Sequence, residues 1–180
     1  MASKTALVII DVQNGLLTGD NPVRATDALI SNLQRLLSAA RRTGTPVLYV
    51  QDDDVGEVGS PAWELPEAIW PEPGEARIRK LACDAFHETE LDARLRERGV
   101  EHLIIAGCKT EYCIDTSVRR AVTLGYGVTL VADAHGTSDS PELPAPAIIA
   151  HHNRLLNGFG AYVEGRPCEV LVRKTADIEL

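Results

Sequence analysis

Apolar residues fall in short unbroken runs separated by stretches of helical periodicity. Residues 6–10 (ALVII) end at Asp11, and residues 46–50 (PVLYV) end at Gln51. Runs this short, rich in β-branched residues and closed by a polar residue, predict buried strands. Between them Leu29, Leu33, Leu36, Leu37 and Ala40 recur at helical spacing, with Asn21-Pro22 or Thr26 as the start and Gly44 as the stop. These three pieces predict one β-α-β unit.

The alternation continues along the chain. A helix over 89–98 carries Leu91 and Leu95 and stops at Gly99, and residues 102–106 read as a strand ending at Gly107. A helix over 110–124 places Ile114, Val118, Ala121 and Val122 on one face, followed by a strand over 127–132. Ser140-Pro141 is the predicted cap of a helix running through Leu156, and residues 169–172 form the last predicted strand. Strands that are apolar throughout, alternating with helices, imply a sheet covered on both faces. The expected class is α/β, a three-layer α/β/α sandwich with a mainly parallel, Rossmann-like sheet. Pro61, Pro66, Pro71 and Pro73 make 60–74 a predicted loop, with a helical turn around 64–69.

A length of 180 residues predicts one domain, and 44% apolar with 24% charged residues excludes disorder, collagen and coiled coil as whole-chain readings. No apolar run approaches the roughly 20 residues of a membrane span, and no basic–apolar–small pattern opens the chain, so a cytoplasmic protein is expected. The four cysteines form no Cys-x-x-Cys pair and are expected to be free thiols.

Charge changes the picture through its location. The net charge of −8 arises between Arg42 and Arg77, where Asp52, Asp53, Asp54, Glu57, Glu64, Glu67, Glu72 and Glu75 meet no basic residue. Nucleic-acid and membrane-surface binding both require a basic face, which is missing. The acidic stretch is either a solvated loop or a rim that attracts a cationic ligand.

Ligands of open parallel sheets bind beyond the carboxyl ends of the strands. The residues emerging there are Asp11, the segment 51–54, the segment 107–113, and 133–135. Cys113 is the candidate nucleophile: with Thr110 as N-cap it falls in the first helical turn, where free N–H groups and the helix dipole favour a thiolate. Asp11 is the carboxylate placed to take its proton, and Lys80 the cation to hold both. The same positions suit blander roles: a packed cysteine, a capping aspartate, a solvated lysine. Cys108, Cys113 and His135 make a poor zinc spacing. His151 and His152 are expected to be structural, and His87 and His102 surface or capping residues. His135, after a strand end, is the histidine placed to touch the site.

The chain resembles the isochorismatase-like cysteine hydrolases through ALVIIDVQNG (6–15), the lysine of RKLACDAFHETEL (79–91), GCKTEYCIDTSVRRAVTLGY (107–126) and VADAHGTSD (131–139). The resemblance implies a catalytic triad of Asp11, Lys80 and Cys113, a non-proline cis peptide at Cys108-Lys109, and an oxyanion hole from the N–H groups of Lys109 and Cys113. Nicotinamidases of that family carry an Asp-x-His metal cluster after the second strand. Here that segment reads Gln51-Asp52-Asp53-Asp54 without a histidine, so no metal and no other cofactor is expected. The run TEYC, the acidic stretch and SPAWEL are similar to the metal-free subgroup that includes streptothricin hydrolase, and an acidic rim suits a cationic amide.

The function so implied is hydrolysis of a C–N amide bond in a cationic or neutral small molecule through a thioester acyl-enzyme. A homodimer or higher homo-oligomer is expected. Gln51, Asp52, Asp53, Trp63, Phe86, Tyr112 and His135 are the substrate-binding candidates. The rivals are a vinyl-ether hydrolase of the isochorismatase type, whose dianionic substrate fits badly beside eight uncompensated acids, and a non-catalytic binding protein of the same fold.

Overall fold

The computed structural model describes residues 4–180. Strands β1 (Lys4–Ile10), β2 (Val47–Asp52), β3 (Ala76–Lys80), β4 (Val100–Cys108), β5 (Gly127–Gly136), β6 (Gly160–Val163) and β7 (Arg166–Arg173) form one sheet in the order β3-β2-β1-β4-β5-β7-β6. Every pairing is parallel except β6 with β7. The helices are α1 (Asn14–Thr18), α2 (Thr26–Thr43), α3 (Leu91–Glu97), α4 (Asp115–Thr123) and α5 (Ala145–Leu156).

Successive side chains of a strand point to opposite faces, and β1 feeds two cores accordingly. Ala6, Val8 and Ile10 join Leu91 and Leu95 of α3 and Val118, Ala121 and Val122 of α4. Leu7 and Ile9 join Leu29, Leu33, Leu36, Leu37 and Ala40 of α2. The α/β/α layering expected from the apolar runs is therefore present. Gly44 closes α2 in the left-handed conformation (φ 72°), its N–H bonded to the carbonyls of Ala40 and Arg41.

Three local readings are corrected. Strands β3 and β6 were not expected: ARIRK has only two apolar residues and buries only Ile78 and Lys80, and GAYV is a four-residue edge strand that buries none of its residues. Helix α5 begins at Ala145, not at Ser140, whose hydroxyl instead accepts the Leu143 N–H in a local turn. Pro144 and Pro146 fit only at a helix entrance, which forbids a start four residues earlier. The predicted helix over 110–124 opens as a π-helical turn, Thr110–Ile114, with Lys109 as N-cap. The proline-rich stretch 60–74 is a loop as read, with a single 3₁₀ turn at Glu67–Ile69.

The chain runs outward from β1 to β2 and β3, then crosses to β4 on the other side of β1. The crevice beyond β1 and β4 is the point where the strand order reverses. Gly107 lets those ends meet: a Cβ there would overlap the Ile10 carbonyl oxygen and lie 2.7 Å from the Ile10 nitrogen.

Candidate active site

Four side chains converge beyond the carboxyl ends of β3, β2, β1 and β4, the order in which those strands lie side by side. They are Lys80, Asp52, Asp11 and Cys113. Lys80 is paired across the ladder with Asp52, so both side chains share one face of the sheet. Its ammonium lies 2.8 Å from Asp11 Oδ2 and 3.4 Å from Cys113 Sγ, and it also donates to Asp52 Oδ2. The Lys80 side chain is wholly buried.

Asp11 sits at φ 52°, and its N–H bonds to Val50 O, which turns its carboxylate out of the β1 line and over the β1–β4 junction. Neither oxygen has a well-aligned hydrogen-bond donor among the described residues, the Lys80 contact being an ion pair off the hydrogen-bond axis. A buried carboxylate left in this state is poised to accept a proton. Burial pushes its pKa up to about 6 against the opposing pull of Lys80.

Burial alone would lower Lys80, but the charge of Asp11 and contact with Cys113 and Asp52 hold it above its ordinary range. Cys113 is also raised, by burial first and then by the Asp11 charge, with Lys80 opposing. The helix start, expected to favour a thiolate, is outweighed here by burial and the Asp11 charge. Cys113 is the fourth residue of the π-turn, beyond the strongest part of the helix dipole, and a thiolate beside ionised Asp11 and Asp52 would put three negative charges around one ammonium. Burial and the Asp11 charge therefore favour the thiol of Cys113 over the thiolate.

Asp11, Asp52 and Cys113 each offer a ligand atom within 4.8 Å of the others. Lys80 Nζ contacts all three of these side chains, so an organic cation already holds the position a metal would take. The residues do not fit a metal ion there.

The peptide bond Cys108-Lys109 is cis, as the resemblance implied. Lys109 O accepts from the N–H groups of Tyr112 and Ile114, which closes the turn carrying Cys113.

The isochorismatase domain model matches residues 5–149. The chain belongs to the isochorismatase family. It is 36% identical over 145 residues to a streptothricin hydrolase of Streptomyces noursei, covering 77% of this chain and 57% of that enzyme. The chain thus spans little more than half the length of that relative. It is 27% identical over 173 residues to ureidoacrylate amidohydrolase RutB of Stutzerimonas stutzeri, covering 74% of this chain and 70% of the other. A solved cysteine hydrolase from Pseudomonas syringae pv. phaseolicola superposes with a TM-score of 0.84 at 26% identity, over 97% of this chain and 90% of the other. Relatives of this isochorismatase-family chain are thus named hydrolases and amidohydrolases. No helix among the described residues is long and apolar enough to cross a membrane.

The remaining candidates are placed as follows. Asp52, read as a substrate contact, instead turns its side chain to Lys80. Gln51 is buried, donating to Trp63 O and accepting from Arg77 Nε. Asp53 accepts from Nε and Nη2 of Arg79 and from the Trp63 indole N–H, and the Arg79 hydrogen bond holds it below its ordinary range. Trp63 is buried in that latch with the Arg77 guanidinium 5.2 Å from its ring centroid. Phe86 belongs to the same apolar cluster as Cys113 and stacks on Tyr126, whereas Tyr112 is exposed.

His135 is tied to the turn that carries Cys113. Asn153 Nδ2 donates to Ala132 O, which directs its Oδ1 to His135 Nε2; that nitrogen therefore carries the proton, and Nδ1 accepts from the Thr110 hydroxyl at 2.9 Å. Burial depresses its pKa to about 4, so it stays neutral.

The acidic stretch is not an uncompensated rim. Glu64 pairs with Arg77, Glu72 and Glu75 with Arg41, Asp53 with Arg79, and Asp52 with Lys80. These basic partners lie outside the stretch in sequence and beside it in space.

Gln13 was missed. Its side chain accepts the Asp52 N–H at 2.8 Å and donates to Asp52 O and Trp63 O, each at 2.9 Å, tying the end of β1 to the end of β2. Its position two residues after Asp11 was the available signal. A cavity of about 380 Å³ lined by Asp53, Arg79, Lys80, Leu81, Ala82, His87 and Glu88 opens at the end of β3, within the size range of small-molecule sites. A larger one, about 810 Å³, lies along α5 at His151, Arg154 and Leu155, away from the four-residue cluster.

Proposed function

We propose that this chain is a cysteine amidohydrolase in which Asp11, Lys80 and Cys113 are catalytic. The observation that carries the proposal is a buried ammonium in contact with both a buried carboxylate, at 2.8 Å, and a cysteine sulfur, at 3.4 Å. Asp11 accepts the Cys113 proton as sulfur bonds to the carbonyl carbon, and the N–H groups of Lys109 and Cys113 receive the developing oxyanion. When the C–N bond breaks, Asp11 returns the proton to the leaving amine. Water then attacks the thioester, giving a proton to Asp11, which passes it back to the departing sulfur. Lys80 keeps the protonated and ionised forms of Asp11 close enough in energy for each transfer.

The substrate class in this proposal is a cationic or neutral amide, and a cyclic amide of the kind opened by streptothricin hydrolase is the first to try. Assembly as a homodimer or larger homo-oligomer belongs to the same proposal and is read by analytical ultracentrifugation.

Amine release from a panel of cationic, neutral and carboxylate-bearing amides, set beside pyruvate release from isochorismate, tests the reaction class. Amine release that disappears in Cys113→Ala, with a thioester adduct on Cys113 seen by mass spectrometry, is the expected result. Pyruvate release without amine release would replace it with vinyl-ether hydrolysis. Equal alkylation of all four cysteines with no turnover would favour a binding protein.

A further inference from the structure

Strands in a sheet lie about 4.8 Å apart, so Lys80 on β3 must reach across β2 to meet Asp11 beyond β1. Asp52 stands on the strand it crosses, and every hydrogen-bonding group of Asp52 is accounted for. Its N–H donates to Gln13 Oε1 at 2.8 Å, its carbonyl accepts from Gln13 Nε2 at 2.9 Å, and its Oδ1 accepts from the Asp54 N–H at 3.0 Å. Oδ2 is thereby aimed at the Lys80 ammonium. The anchor has no role in forming the sheet ladder, and the residue making it, Gln13, is itself fully buried. This is a built mount for one carboxylate oxygen.

We propose that Asp52 is a positioning residue that shares the Lys80 ammonium with Asp11 and, by leaving the resting cluster with two carboxylates against one cation, selects against substrates that carry an anion beside the scissile bond. The inference rests on the triad reading above and adds its selectivity. Opposite charges more than a few ångströms apart in bulk water would matter little, but here Lys80 is wholly buried and Asp52 nearly so. The excess negative charge is therefore poorly screened. An incoming carboxylate would meet it at the point where sulfur must attack, whereas an ammonium or neutral group would not. Selectivity so placed does not require the other acids of the stretch, four of which, Asp53, Glu64, Glu72 and Glu75, are paired with arginines.

The groups that act on Asp11 and Cys113 from the packed elements are Asp52 on β2, Lys80 on β3 and Cys83 after it, and Cys108 at the end of β4, the Lys109 charge acting on Cys108. Asp53 is neutralised by Arg79. Removing the Asp52 charge should therefore move the ionisation of Asp11 to lower pH, since that charge raises it.

The test alkylates the whole protein with iodoacetamide, which is neutral, and iodoacetate, which is anionic, and reads Cys113 modification by peptide mass spectrometry across pH 5–9. Wild type should disfavour iodoacetate at Cys113 more strongly than free cysteine does. Asp52→Asn should raise the iodoacetate-to-iodoacetamide ratio by about tenfold, the order expected for one poorly screened charge at this range, and move the acid limb of the iodoacetamide rate to lower pH. A merely structural role moves neither. An unchanged ratio and limb in folded Asp52→Asn overturns the inference. If that variant does not fold, Asp52→His, neutral above pH 7, is read by the same ratio. Absence in wild type of a faster Cys113 or of any acid limb would instead overturn the triad reading, so the two failures are distinct.

Discussion

Replacing Lys80 by Met removes the ammonium and keeps an unbranched apolar stem of similar length in the buried channel. The structure sets the size of the effect. At 2.8 Å from Asp11 Oδ2, a unit charge in a medium of effective dielectric about 20 stabilises the carboxylate by about 6 kcal/mol, equal to about four pH units. Asp11, held at about 6 with Lys80 present, would then ionise as high as about pH 10, with Asp52 adding repulsion in the same direction. At pH 8 its base form would fall to roughly one per cent, costing about 100-fold in Cys113 alkylation or amide turnover before any loss of direct sulfur stabilisation. The assay is the pH profile of iodoacetamide labelling at Cys113, run on variant protein whose circular dichroism matches wild type. A limb that stays near pH 6 in folded Lys80→Met would refute the claim that Lys80 holds Asp11 ionised.

Asp11→Asn, which tolerates the same left-handed backbone, should abolish the acid limb near pH 6 and lower Cys113 alkylation at pH 8 by about 100-fold or more; persistence of the limb would assign it elsewhere. Gly107→Ala should cost roughly 3 kcal/mol or more in urea unfolding, because the added methyl would overlap the Ile10 carbonyl oxygen; a loss under about 1 kcal/mol would show that β4 can move off β1. Acid stability offers an opposed pair. His135 is depressed to about 4 from 6.5, so the unfolded chain protonates first and stability falls by about 3 kcal/mol as pH drops from 6.5 to 4; Asp11, raised to about 6 from 3.8, contributes a rise of about 3 kcal/mol as pH drops from 6 to 4. His135→Gln should expose the Asp11 slope and Asp11→Asn the His135 slope in urea unfolding across pH 4–7, and parallel profiles for both variants would contradict this pairing.

The layer order was legible because each central strand is buried on both faces and so must be apolar along its buried length, as residues 6–10 and 103–106 are. Helix stops were legible where a left-handed turn demands glycine, as at Gly44. The three residues Asp11, Lys80 and Cys113 could be named from motifs, since strand ends and the first turn after a strand are fixed by chain connectivity. Strand β3 could not, although it carries Lys80: an edge strand exposes one side, and alternating Ala76-Arg77-Ile78-Arg79-Lys80 leaves too few apolar positions to register.

What only the folded chain decided is how charges are shared. Eight acids without a base between Arg42 and Arg77 read as an acidic surface, but arginines 41, 77 and 79 approach them through the sheet and the α2 layer. Asp52 read as a substrate contact because sequence places it beyond a strand end, and nothing local shows that Lys80 lies on the adjacent strand. That Cys113 needs a base was legible, but the strength of the opposition to a thiolate was not, since it comes from burial and from carboxylates on strands far apart in sequence. Hydrophobic burial acts residue by residue and leaves its mark along the chain. Electrostatic balance depends on distances between residues far apart in sequence, which exist only after the sheet has assembled.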